Sequence, residues 1–225
     1  MSELIDTTEM YLRTVYQLLE QGVPPRRARI AEGLGQAAPT VSETVARLER
    51  DGLVRLDADH VIELTKPGLQ LASEVMRRHR LAECLLIGVL HVDWAVAHQE
   101  ACRWEHVISS PVMNNLDAFL GGPHTTPYGT PIPGVGDSPE RFAERWVPLR
   151  DALAQVVSGG PAELVVVDDN VQADEALLKE LDAAGLHPGA QLSAQRGATG
   201  QVRLRGPAGS VGYTEALSRG LYVAA

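Results

Sequence analysis

Cysteine is scarce: Cys84 and Cys102 are the only two in 225 residues. Two thiols in a chain of this size do not make a disulfide framework, and a reducing compartment keeps both free. Long apolar runs are missing too, so no membrane-spanning helix is expected. The opening MSELIDTTEMYLRTVYQLLE has neither the basic start nor the apolar centre of a secretory signal, and a cytoplasmic location is expected. The chain shows no internal repeat, low-complexity tract, nucleophile elbow or phosphate-binding glycine loop. A basic excess is also lacking. The net charge is −9, which at first disfavours a nucleic-acid partner.

That charge is unevenly spread. Residues 1–80 carry 11 Lys+Arg against 12 Asp+Glu, and the remainder 9 against 17. Within 26–55 stand six arginines, Arg26, Arg27, Arg29, Arg47, Arg50 and Arg55, and four acids. A local basic face can meet phosphates on a protein that is acidic overall. With 44% hydrophobic and 22% charged residues, the chain can fill one large core or two small ones.

Apolar residues Leu4, Met10, Leu12, Val15, Tyr16 and Leu19 recur at helical spacing and predict a helix over 3–21, ended by Gly22-Val23-Pro24-Pro25. A short helix over 27–34, a turn at 35–38 and a third helix from Pro39 to Arg50 follow. LVRLDADHVIEL (53–64) alternates around Asp57-Ala58-Asp59, as a small hairpin does. Thr65 is placed to cap a long helix of about 66–90. A helix is expected from Asp93 through WAVAHQEACRWEHVIS, and another from Ser110-Pro111 to Gly121-Gly122. GGPHTTPYGTPIPGVGDSP (121–139) is expected to be an irregular linker and domain boundary. Beyond it AELVVVDD, AQLSAQR and QVRLRG read as strands, with a helix in ADEALLKELDAAG, giving a small β-rich barrel. The fold class expected is mainly α with small β parts.

Two short helices, a tight turn and a following hairpin make a winged helix-turn-helix. Its second helix enters the major groove by its first turn, which here holds Pro39, Thr40, Ser42 and Glu43. Arg47 and Arg50 lie where phosphates run, and Arg27 and Arg29 brace from the preceding helix. On pattern alone, an ordinary helical hairpin with solvated arginines remains open.

ACRWEHVIS carries the richest chemistry. On a predicted helix Glu105 and His106 flank Cys102 within about one turn, so sulfur, oxygen and nitrogen donors share one face. His98 lies one turn earlier, and His79 and Glu83 stand at i, i+4 on the long helix. These three form a second candidate site where the helices cross. All-thiolate sites favour zinc and all-oxygen sites magnesium or manganese. A mixed set suits Fe(II), Co(II) or Ni(II). The plainer alternative is a small core cysteine beside a solvated Glu-His pair. On residues alone Met10 reads as a core methionine, Cys84, His91 and His60 are given no role, and a non-haem metalloenzyme or a metal-storage module stays open.

The segments DTTEMYLRTVYQL, RARIAEGLGQAAPTVSETVARLERDGLV, VMRRHRLAE and EACRWEHV closely resemble the diphtheria toxin repressor family of iron-dependent actinobacterial regulators. The resemblance is dense through PIPG at 131–134 and continues through VQADEALLKELDAAGLHPGAQL. It implies a winged helix-turn-helix domain (1–73), a helical dimerisation and metal-binding domain (74–140) and an SH3-like β-barrel (141–225) after a linker at about 121–145. It implies a primary metal site of Met10, Cys102, Glu105 and His106. An ancillary site of His79, Glu83 and His98 would be completed by Asp169 and Gln172, making two sites per chain. Asp169 is one methylene shorter than the glutamate of relatives. The physiological ion implied is Fe(II), with Co(II), Ni(II), Mn(II) or Zn(II) as substitutes in vitro. An anion pocket of Arg80, Thr126 and Thr130 is implied as well. The implied activity is that of a homodimeric repressor of iron-acquisition genes, not an enzyme, bound to operator DNA as one or two dimers, with no small-molecule substrate. In relatives a serine stands at the position of Ala37 and a glutamine at that of Glu43. Glu43 accepts from cytosine rather than bonding adenine, so a different operator or weaker binding is expected. The alternative within the family is a manganese-responsive regulator. Such relatives carry a carboxylate in place of Met10.

Overall fold

The computed structural model describes residues 6–160, 162–198 and 200–224. Helix α1 (Thr7–Glu20) begins where the Asp6 carboxylate accepts the backbone N–H of Thr8 (2.8 Å) and Glu9 (3.4 Å). Among the described residues the helix expected over 3–21 begins at Thr7, and its expected residues 3–5, Leu4 among them, lie outside the described residues. Tyr11, Leu12, Val15 and Tyr16 are buried. They meet Ile30 of α2 (Arg27–Leu34) and Val41, Val45 and Leu48 of α3 (Ala38–Arg50). Each such side chain contributes roughly 1.5–3 kcal/mol. Gly35 closes α2 at φ +61°, a left-handed conformation that costs a glycine little, and so turns the chain sharply into α3.

Strands β1 (Val54–Leu56) and β2 (Ile62–Leu64) pair antiparallel, Arg55 opposite Glu63. The Asp57 carboxylate accepts the N–H groups of Asp59 and Val61 at 2.8 Å and so fixes the tip. The winged helix-turn-helix expected from pattern is therefore present. Thr65 Oγ1 accepts from Gly68 N and opens α4 (Lys66–Gly88), which packs against α1 along its buried side. The boundary expected at 73/74 falls inside this one continuous helix.

Two expectations are corrected by the next segment. The helix expected from Asp93 begins only at Ala97, because the Asp93 carboxylate accepts Ala95 N–H and holds a turn first. It also ends early. Helix α5 (Ala97–Trp104) stops with Glu105 as its cap, and His106 lies in the closing turn. The two residues are not on the helix that the spacing argument used. Helix α6 (Ser110–Phe119) follows as expected.

The proline- and glycine-rich stretch is more ordered than a linker. Thr126, Tyr128 and Thr130 are buried. Tyr128 donates its hydroxyl to Trp94 O (2.6 Å), and its carbonyl accepts Val167 N–H (2.9 Å). A Cβ on Gly129 would stand 1.9 Å from Val165 O, so only glycine, here at φ +81°, allows this approach.

The remaining elements are α7 (Phe142–Arg145), β3 (Val147–Pro148), α8 (Leu149–Val157), β4 (Ala162–Val167), α9 (Asp169–Gln172), α10 (Glu175–Ala183), β5 (Gln191–Arg196), β6 (Val202–Arg205), β7 (Ser210–Gly212), α11 (Glu215–Gly220) and β8 (Leu221–Val223). The strands form one antiparallel sheet in the order β3-β8-β4-β5-β6-β7. The last strand sits inside the sheet, between β3 and β4. Its core of Leu164, Val167, Leu178, Leu192 and Leu204 extends onto Ala95 and Tyr128, so this sheet and the helical part share one apolar core. No helix among the described residues is long and apolar enough to cross a membrane.

Candidate metal centre and nucleic-acid face

Helices α4 and α5 cross where His79 and Glu83 face His98 and Cys102. His79 Nε2 lies 2.8 Å from Glu83 Oε1 and 3.2 Å from His98 Nδ1. His98 Nδ1 is 3.0 Å from the same carboxylate oxygen, and its Nε2 is 3.7 Å from Cys102 Sγ. Donor atoms of His79, His98 and Cys102 lie within 4.8 Å of one another. On the far side His79 Nδ1 meets Glu105 Oε2 at 2.7 Å. The side chains expected to form two separate sites are therefore one continuous network, with His79 and His98 as the bridge between Cys102 and Glu105.

His106 joins from the turn. Its Nδ1 is 2.8 Å from Glu9 Oε2 and its Nε2 is 3.2 Å from Glu105 Oε1. Arg78 bonds Glu9 Oε1 (3.1 Å) and Glu105 O (2.8 Å), tying α1 to the same turn. Met10 is half-buried and packs on the core that α1 shares with α2 and α3. The polar contacts of α1 with Cys102–His106 run through Glu9 and Arg13. Arg13 Nη1 lies 3.4 Å from Cys102 Sγ and 3.2 Å from Glu105 Oε1, and Nη2 lies 3.7 Å from Asp169 Oδ1.

Asp169 opens α9 and brings the C-terminal domain in. Arg80 Nη2 lies 3.4 Å from Asp169 Oδ2 while its fork grips Glu20 with two 2.7 Å bonds and donates to Pro131 O. Gln172 donates to Val167 O at 2.6 Å, and its buried Oε1 has no partner among the described residues. Thr126 and Thr130 bond each other through their hydroxyls at 2.8 Å, beside the Pro131 carbonyl that Arg80 holds. An anion arriving at Arg80 meets Glu20 and Asp169 already there.

These charges shift one another. Burial works against the Cys102 thiolate, but the Arg13 guanidinium, then His98 and His79, outweigh it and hold the thiol well below its ordinary value. Burial likewise opposes charge on His98, yet Cys102 and Glu83 push it up to about 9. Burial and Arg13 oppose charge on His79, and Glu83 and Cys102 raise it above the usual range. Glu83 is lowered, against burial, chiefly by His79, and Glu105 chiefly by Arg13. Asp169 is lowered by Arg80 and Arg13. The set thus offers a thiolate, ionised carboxylates and two imidazoles that must give up a proton to ligate, in a largely buried place. The oxygens Glu83 Oε2 and Gln172 Oε1 are buried and unpartnered among the described residues. That chemistry fits a borderline divalent cation. Cys84 is different: burial pushes its thiol up to about 12, as suits a packing residue.

Sequence reading missed Glu9, Arg13 and Glu20. At about 100° per residue they fall on one stripe of α1 within about 40°, which pattern alone assigns to solvent. In the fold that stripe faces the metal-ligand candidates, and Glu9 and Glu20 are buried.

The recognition face is simpler. Ala37, Pro39, Thr40, Ser42, Glu43, Arg47 and Arg50 are exposed, while Val41, Thr44, Val45 and Leu48 turn inward. Ser42 donates to Ala38 O at 2.9 Å, and Arg29 pairs with Glu32. Arg27 is half-buried.

A family model described as "Iron dependent repressor, N-terminal DNA binding domain" matches residues 3–60. One described as "Iron dependent repressor, metal binding and dimerisation domain" matches 65–134. The iron-dependent repressor IdeR of Mycobacterium tuberculosis (strain H37Rv) is 48% identical over 209 residues, covering 91% of this chain and 90% of that protein. The chain belongs to the iron-dependent repressor family. This is a family of transcriptional repressors rather than enzymes. The diphtheria toxin repressor of Corynebacterium glutamicum is 44% identical over 200 residues, 85% of each chain. Among solved structures, the manganese regulator SloR aligns at a TM-score of 0.72 with 29% identity, covering 96% of this chain and 97% of that one. ScaR with bound Cd2+ aligns at 0.77 with 26% identity, covering 96% and 98%. In this family the stretch matched over 3–60, from α1 through β1, is the DNA-binding domain, and 65–134, with α4–α6, is the metal-binding and dimerisation domain.

Proposed function

We propose that this chain is a cytoplasmic homodimeric repressor whose grip on operator DNA depends on Fe(II) held at the α4–α5 crossing. The observation that carries this reading is the set of buried His79 and His98 with half-buried Cys102, donor atoms within 4.8 Å, lying against the charged stripe of α1. The primary ligands proposed are Cys102, Glu105 and His106, with Met10 brought in from α1. His79, Glu83 and His98, with Asp169 and Gln172, form the ancillary set. Glu9 bonds His106 Nδ1 and so leaves Nε2 to ligate. A bound divalent ion supplies a positive charge that joins α1 to α5. Glu9 and Met10 then fix the head relative to the dimer, and the two recognition helices keep the spacing of the half-sites. The domain bounds proposed are those expected from sequence, with α4 shared between the first two.

The apolar side chains left outside, Leu90, Val107, Val112 and Phe119, lie at the end of α4, after α5 and on α6. They suit a self-complementary dimer contact. On the DNA side, Pro39, Thr40, Ser42 and Glu43 with Ala37 meet base edges, and Arg27, Arg29, Arg47 and Arg50 meet phosphates. A manganese-responsive reading is favoured by the likeness to manganese regulators. The thiolate of Cys102 and the thioether of Met10 favour the softer Fe(II). The test is a DNA shift assay with Fe(II), Mn(II) or chelator. Tight binding with Fe(II) and little with chelator is expected. Equal binding in all three sinks the switch, and a response to Mn(II) alone replaces iron by manganese.

A further inference from the structure

One cation already stands among the proposed ligands. The Arg13 guanidinium reaches Cys102 Sγ and Glu105 Oε1 from α1, and Asp169 Oδ1 of the C-terminal domain completes its seat. The side chain is 12% exposed, and its Nε is buried without a hydrogen-bond partner among the described residues. A guanidinium so placed is held by three anions, so leaving them has a cost even though its Nε–H stays unpaired.

A metal–thiolate bond is about 2.3 Å long. With Arg13 Nη1 at 3.4 Å from the same sulfur, a metal on Cys102 and the guanidinium would lie within about 6 Å of each other. At that range a divalent ion and a guanidinium in a largely buried place repel strongly. They also draw on the same lone pairs of Cys102 and Glu105. Ion and guanidinium are therefore alternatives at these donors. We propose that Arg13 is a built-in competitor for the metal: its guanidinium must leave Cys102 and Glu105 when the ion binds, and the cost of that departure sets the metal concentration at which the repressor switches. This rests on the reading that Cys102 and Glu105 are ligands. Arg13 is three residues after Met10 on α1, so withdrawing one side chain and engaging the other move the same helix. The exchange links the ligand set to the DNA-binding head. It also breaks the tie from α1 to Asp169.

The experiment compares full-length wild type, Arg13→Gln and Arg13→Lys by Co(II) titration against a competing chelator at pH 8, read by thiolate-to-Co(II) absorbance. The glutamine variant lacks the competing charge and is expected to bind Co(II) at least tenfold more tightly. The lysine variant keeps that charge and is expected to stay within about threefold of wild type. Unchanged or weaker binding by Arg13→Gln overturns the proposal, as does equal tightening by Arg13→Lys. A wild type that takes up no Co(II) at all defeats the metal reading itself, and the competitor with it. A second readout needs no variant. The 15Nε resonance of Arg13, slowly exchanging in chelator-treated wild type, should shift and exchange faster in step with added Zn(II). A resonance that stays as it was overturns the proposal even where Arg13→Gln does not fold.

Discussion

On α3, Thr40, Ser42, Glu43, Arg47 and Arg50 are presented to solvent by one stretch of thirteen residues. At the α4–α5 crossing, His79, Glu83, His98, Cys102 and Glu105 are held by one another, by α1 and by α9. The first region depends on a rigid platform beneath it. Its outward residues can change with little cost to folding, so binding preference is free to vary there. The second region is a buried charge network in which removing one member strands the others. Changes there act on folding, on metal affinity and on head position together.

The sharpest test of the contrast is Cys102→Ala. Loss of the thiolate is expected to abolish the metal response, with at least a hundredfold loss of operator affinity at a Co(II) concentration that saturates the wild type. Retention of wild-type metal dependence in a shift assay removes Cys102 from the site. Next comes the platform. Leu48→Ala should cost roughly 2–5 kcal/mol in urea unfolding, whereas Arg47→Ala, one residue away and exposed, should stay within about 0.5 kcal/mol. Comparable losses would mean that α3 is not a platform with a free outer face.

The pH dependence separates the regions further. The folded-state value of His98 is raised to about 9. Its charged form therefore stabilises the metal-free fold fully below about pH 6.5, and that contribution is lost as pH rises through about 9. Ligation needs neutral imidazole, so metal uptake releases protons, and Co(II) affinity should climb over the same window by up to about tenfold per unit for each proton released. Metal-free stability and metal affinity should thus slope in opposite directions. Parallel or flat curves would falsify the charge assignment.

Smaller effects belong to the outer face. Glu43→Gln should shift preference at one operator position by about 1–3 kcal/mol and leave metal affinity alone. Arg50→Ala should weaken binding to all sequences alike and lower the salt slope by about 1. A sequence-specific loss on Arg50→Ala would place that side chain on a base instead.

Helical periodicity, the cap at Thr65 and the Gly35 turn were readable because each depends on residues a few positions apart. So were the winged helix-turn-helix, the core face of α3 and the donor types at 79, 83, 98, 102, 105 and 106. The end of α5 was not readable, because EHV continues a helical pattern while the chain turns at Glu105 to meet His79 and Arg78. Strand β8 was not readable either. Leu221–Val223 is three residues long with all three buried, so it shows no alternation and becomes a strand only between β3 and β4.

The sequence by itself determined the main helices, the hairpin and which donor atoms are available, since propensity, capping and side-chain chemistry are local. Only the tertiary structure decided which donors meet. It merged two expected sites into one network, ordered the 125–131 segment against β4, and turned the Glu9–Arg13–Glu20 stripe inward. The reason is that a charged residue buries only where distant chain supplies its counter-charge, and neither spacing nor composition reports that distance.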